Sequence, residues 1–142
     1  MKTKWKLCLA LAVTVLWLWF IYSRSLSNGE ASHEESSAIL EGLKRFLPFL
    51  NTKLVRKGAH IFEFFVLGCL LYLDWRLIGR GRVLLPLGAG LVFAAADGFL
   101  QTFVPARSGE VLDVLIDFCG VAAGVGAALL LRRWKEARRR DG

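Results

Sequence analysis

Six residues set inside apolar stretches have the chemistry and the spacing to act together: His60 with Glu63, Asp97 with Gln101, and Asp113 with Asp117. The members of each pair stand three or four positions apart, which on a helix puts them on one face. Imidazole transfers protons near neutral pH, and carboxylates hold hard cations or orient basic groups. The set therefore suits acid–base chemistry, cation binding or recognition of a charged headgroup. A charge at the centre of a bilayer costs about 2.5 to 3.5 kcal/mol on insertion scales, so these groups must meet partners. Their positions predict a shared polar site.

The elements that must position them are long apolar runs. Of the 142 residues 55% are hydrophobic, and the mean hydropathy is +0.46, too apolar for a soluble domain of this length. The net charge of +7 gathers at the ends of apolar runs and does not track one soluble face, which argues against nucleic acid as a partner. Cys8, Cys69 and Cys119 lie in apolar segments without CxxC spacing. They read as small core residues, neither a disulfide framework nor a thiolate metal site.

The runs predict four membrane spans, at residues 7–22, 59–78, 83–104 and 111–131. The first rises about 24 Å as a helix, short of a roughly 30 Å hydrocarbon core, with Trp5 and three lysines anchoring its inner end. A secretory signal peptide has the same basic start, but the run is rich in Trp and Phe and no small-x-small cleavage site follows, which favours an uncleaved helix. The other three are near the expected 20 residues, and short connections make them antiparallel neighbours. Arg76, Arg80 and Arg82 in the second connection, and the basic tail 132–142, place both termini in the cytoplasm. The extracytoplasmic loop 23–58 also carries basic residues, accompanied by Glu30, Glu34, Glu35 and Glu41.

Within that loop Ile39, Leu40, Leu43, Phe46, Leu47 and Leu50 recur at helical spacing, predicting an amphipathic helix on the outer surface interrupted near Pro48. Gly120, Gly124 and Ala128 form a small-xxx-small seam. The expected fold is thus an all-α membrane protein, a single domain over 1–142 built as a four-transmembrane-helix bundle.

In this topology the three polar pairs reach one depth. His60 and Glu63 lie within about 6 Å of the outer end of the second span, Asp97 roughly 10 Å and Gln101 roughly 5 Å below the end of the third, and Asp113 and Asp117 in the first turns of the fourth. Helix stapling alone has no reason to favour one leaflet. Arg56, Lys57, Arg107 and His60 supply compensating positive charge at the rim.

The segment from Arg56 through Lys57, His60 and Glu63 to Gly68, followed by a block running from Asp97 through Gly98, Gln101 and Pro105 to Arg107 and on to Asp113 and Gly120, resembles the VanZ-like family of small bacterial membrane proteins. The two blocks cover about half the chain in the family's order and spacing. The resemblance implies a protein of the bacterial cytoplasmic membrane whose founding relatives are linked with reduced susceptibility to the glycopeptide teicoplanin. It implies no established reaction. Lys57, His60, Asp97, Gln101, Pro105, Arg107 and Asp113 are its motif positions. Many relatives carry Glu where Gly98 stands and often Asn where Asp117 stands, so an activity resting on that Glu would be missing from this chain.

The favoured function is binding: an outer cavity engages an envelope lipid, a lipid-linked wall intermediate or an amphipathic glycopeptide, with Arg56, Lys57 and Arg107 on its phosphate or carboxylate groups. The alternative is an intramembrane hydrolase or transferase acting on a lipid headgroup, with His60, Glu63 and Asp97 as catalytic candidates; no nucleophile motif accompanies them. A proton-coupled transporter would use the same acids but needs a path to both sides, and the inner halves look dry apart from Asp74, which can pair locally with Arg76 or Arg80. No cofactor or metal is expected. Asp97, Asp113 and Asp117 would suit a hard cation, while His33 and His60 alone make a poor zinc set. Membrane lipids are the expected surroundings, and homo-oligomers are compatible with the pattern.

Overall fold

The structure, a computed structural model, describes residues 2–26, 52–79, 82–104 and 111–140, with residues 37, 41 and 42. They form four long helices: α1 (Lys2–Leu26), α2 (Thr52–Leu77), α3 (Leu84–Gln101) and α4 (Val111–Arg138). The predicted amphipathic segment around Pro48 lies outside the described residues, as do Arg80, Pro105 and Arg107.

Three of these helices are long and apolar enough to cross a membrane: α1 over Lys4–Leu26, α3, and α4. Helix α1 is longer than its apolar run alone predicts. It continues through Ser23, Arg24 and Ser25, so its 25 residues rise about 37 Å instead of falling short of the hydrocarbon core. The continuation is stabilised because Arg24 and Ser25 find partners on α2 and α3. At the other end of the chain α4 carries much of the basic tail as helix, with Arg132 Nε 2.7 Å from Glu136 Oε1 one turn on. Helix α2 closes on Gly79, whose φ of +81° a side chain would resist.

Contacts along the helices fix their directions. Ser25 near the end of α1 meets Asp97 near the end of α3, Arg24 meets Glu63 in the first half of α2, and Lys57 meets Asp113 where α2 and α4 both begin. So α1 runs with α3, and α2 runs with α4 in the opposite sense. The most extensive seam joins α2 to α4, while α1 rests on α2 and α3.

Small residues make that seam. A Cβ on Gly120 would stand 2.6 Å from the Ile61 carbonyl oxygen, and one on Gly124 would strike the Phe65 carbonyl. The two backbones therefore approach as only glycine allows, the geometry expected of helices that pack by van der Waals contact within lipid. Cys69 donates to the Gly124 carbonyl at 3.3 Å across the same seam. Phe64, Leu67 and Leu71 of α2, Ile21 of α1, Ala94 of α3, and Val121 and Val125 of α4 fill the interior. Val15, Leu16, Trp19, Phe62, Val92, Phe99 and Leu130 point outward, an apolar exterior suited to hydrocarbon.

Two expectations are corrected. Cys8 and Cys119 are exposed on the outer faces of their helices, not in the core; Cys69 alone of the three is part-buried, against Gly124 at the α2–α4 seam. Asp74 pairs across helices with Thr14 of α1, whose hydroxyl donates to Oδ2 at 2.7 Å, and not with the exposed Arg76. It is 2% exposed and turned into the bundle. The interior thus holds two polar layers: one around Ser25, Glu63 and Asp97, and a second at Thr14 and Asp74. Thr14 and Ser25 are eleven residues apart on α1, as are Glu63 and Asp74 on α2, three turns or roughly 16 Å along one face of each helix.

Candidate functional site

The first layer gathers residues from all four helices. On α3, Asp97 is fully buried, and its Oδ2 accepts hydrogen bonds from Ser25 Oγ at 2.9 Å and from Gln101 Nε2 at 2.6 Å. Gln101 Nε2 also reaches Ser25 Oγ at 3.1 Å, closing a triangle that fixes the carboxylate. Asp97 and Gln101 point the same way because they are one turn apart. Gly98 between them faces α4, where a Cβ would stand 2.5 Å from the Val114 side chain. A Glu at that position requires α4 to move or Val114 to turn away.

On α2, Glu63 is buried between the guanidinium of Arg24 and the imidazole of His60. Its Oε1 lies 3.1 Å from Arg24 Nε, and its Oε2 lies 3.7 Å from His60 Nδ1, one turn back on its own helix. Trp17 of α1 donates its indole N–H to the Glu63 carbonyl at 2.9 Å, holding α1 to this turn of α2. Nearer the start of α2, Lys57 Nζ sits 2.9 Å from Asp113 Oδ1 in the first turn of α4, with both side chains partly exposed. Arg56 is half-buried beside it and forms no ion pair among the described residues.

At the centre, His60, Asp97 and Asp117 each bring a ligand atom within 4.8 Å of the other two. Three helices supply them. At that separation two ionised carboxylates repel by about 3.5 kcal/mol or more at an effective dielectric of about 20, so they need a proton or a cation between them. Asp117 is 2% exposed and makes no hydrogen bond or ion pair among the described residues; Asp97, Asp113 and Glu63 are acids in its surroundings, and Lys57 is a cation there. One imidazole nitrogen and two carboxylate oxygens form a donor set that first-row divalent cations accept. The sequence grouped Asp113 with the other two aspartates, but Asp113 is taken by Lys57 and His60 stands in its place.

Of the six polar residues read from the sequence, His60, Glu63, Asp97, Gln101 and Asp117 lie in this layer, while Asp113 stands a turn nearer the start of α4 with Lys57. Arg24 and Ser25 join them unannounced, having been read as the start of a loop. The signal that finds them is the three-turn repeat from Thr14 to Ser25, which continues α1 past its apolar run.

A family model described as VanZ/LLP1 matches residues 10–132, nearly the whole of this arrangement. The chain belongs to the VanZ/LLP1 family. No curated protein and no solved structure shows a significant match to it. As a VanZ/LLP1 member with three helices of membrane-crossing length and apolarity, it is a membrane protein, and the matched stretch takes in Arg24, Ser25 and every polar residue placed in the first layer.

Proposed function

We propose that the first layer is an outer-leaflet binding site for an anionic amphiphile, an envelope lipid, a lipid-linked wall intermediate or a glycopeptide, through which the protein alters antibiotic susceptibility. The observation that carries this reading is Lys57. Its ammonium has three donors, Asp113 orients it, and it stays 37% exposed, as Arg24 does at 38%, beside a cluster whose acids Glu63, Asp97 and Asp117 are buried. A cation held in place by a neighbouring acid meets a phosphate or carboxylate at low ordering cost. The half-buried Arg56 adds a second cation on the same turn, and the exposed Ile61, one turn on from Lys57 along the same face, offers apolar surface to an acyl chain.

In this proposal all four helices span the bacterial cytoplasmic membrane and both termini are cytoplasmic, which the arginines of the second connection and the tail favour. The binding role is tested by complementing a deletion strain with wild type, Lys57→Ala or Arg107→Ala and measuring susceptibility to a lipoglycopeptide. Both variants should protect less than wild type; equal protection would overturn the assignment.

A second reading, hydrolysis or transfer at a lipid headgroup, is favoured by the nesting of His60 between Glu63 and the buried aspartates, which gives an imidazole the acid partners of a general base. Turnover of labelled envelope lipids by the purified protein, lost in His60→Gln, would establish it.

A further inference from the structure

We propose that His60, Asp97 and Asp117 bind one first-row divalent cation, of the Mn2+ class. Beyond the envelope-ligand reading, this assigns an inorganic partner to the floor of the site. The first support is convergence: α2, α3 and α4 each contribute one donor, and the three lie within 4.8 Å of one another. The second is Asp117, a carboxylate 2% exposed, with no hydrogen bond or ion pair among the described residues, facing the other two donors. A purely structural aspartate in that place would be expected to show a donor.

The surroundings match a metal centre in kind. Metal-binding histidines carry a carboxylate partner on the ring, and Glu63 Oε2 stands 3.7 Å from His60 Nδ1, just beyond hydrogen-bond range and close enough to complete that pairing as the site tightens. Ligating carboxylates are themselves hydrogen-bonded, as Asp97 is by Ser25 and Gln101. Bonds of about 2.1 Å bring adjacent donors to roughly 3 Å apart, so the cluster must tighten around the ion. The carboxylate of Asp117, tied by no hydrogen bond, is the one able to move. A nitrogen among the oxygens favours a first-row ion over Mg2+ or Ca2+.

The test uses the full chain in lipid nanodiscs titrated with Mn2+ alone, followed by electron paramagnetic resonance. One ion per chain should bind, with a nitrogen hyperfine coupling from a single imidazole. Asp117→Asn should abolish binding, Ser25→Ala should weaken it about 10- to 100-fold through the Asp97 carboxylate, and Asp74→Asn, in the second layer, should leave it unchanged. Absence of binding by wild type, absence of the nitrogen coupling, or unaltered binding in Asp117→Asn would each overturn the site. The nitrogen coupling is read on wild type, so it decides the matter even where a variant fails to fold. No lipid intermediate or antibiotic takes part, so failure here and failure of the susceptibility test are separate results.

Discussion

Thr14 Oγ1 donates to Asp74 Oδ2 at 2.7 Å, and among the described residues this hydroxyl is the sole hydrogen-bond partner of an acid that is 2% exposed. Removing one member of such a pair strands the other. Thr14→Val should destabilise the bundle by about 1 to 3 kcal/mol, whereas the double variant Thr14→Val with Asp74→Leu should recover most of that loss. Reversible unfolding in mixed micelles, run as a double-mutant cycle, measures both; additive losses would contradict the pairing.

The glycine seam makes a sharper prediction. Gly124→Val places a side chain against the Phe65 carbonyl and should force α2 and α4 apart, costing about 1 to 3 kcal/mol or more. Gly126→Ala, two residues on and with open space at its Cβ, should be silent. Unfolding midpoints of the two variants under one detergent condition give the comparison.

Ser25→Ala removes a donor from a fully buried carboxylate while Gln101 still holds it. A loss of about 1 to 2 kcal/mol is expected, and Gln101→Leu on the same background should cost more than it does alone, because both donors to Oδ2 among the described residues are then gone. Thermal melting of the purified single and double variants tests the order.

Lys57 and Asp113 are both partly exposed, so their ion pair should add less than about 1 kcal/mol to stability. Asp113→Asn should therefore melt like wild type yet change susceptibility in the complementation assay, because Lys57 loses its orientation. A large drop in melting temperature would instead assign the pair a structural role.

Topology is checked with a cysteine-free background carrying Arg139→Cys. A membrane-impermeant maleimide should label it only after the cells are opened; labelling of intact cells would place the C-terminus outside.

Much of this arrangement was legible in the chain. Apolar runs located the helices, and three- and four-residue spacings put His60 with Glu63, Asp97 with Gln101, and Asp113 with Asp117 on common faces, because helical periodicity is a local property. The pairing across helices was not legible. Rotation of one helix against another is set by the Gly120 and Gly124 contacts, and it decides that Asp113 meets Lys57 while Asp117 turns towards His60 and Asp97. Arg24 and Ser25 escaped for the opposite reason. Hydropathy ends a span at the first polar residues, but a polar residue with a partner on the next helix continues it. Among the described residues Asp74 meets Thr14 and not Arg76, although Arg76 is far closer along the chain, because Arg76 lies on the exposed face of α2.

The two polar layers also divide labour by order of synthesis. Helix α1 is made before α2 and carries Thr14 and Arg24: until α2 arrives the Thr14 hydroxyl can donate to the Ala10 carbonyl, 3.1 Å away, and Arg24 at the helix end can extend to the headgroups. Helix α2 follows with Glu63 and Asp74, acids that are costly to bury until each has a partner. Glu63 meets Arg24 and Asp74 meets Thr14, partners ten residues apart on α1 and eleven apart on α2. The earliest segment is therefore a docking template that admits its acidic neighbour in one register only.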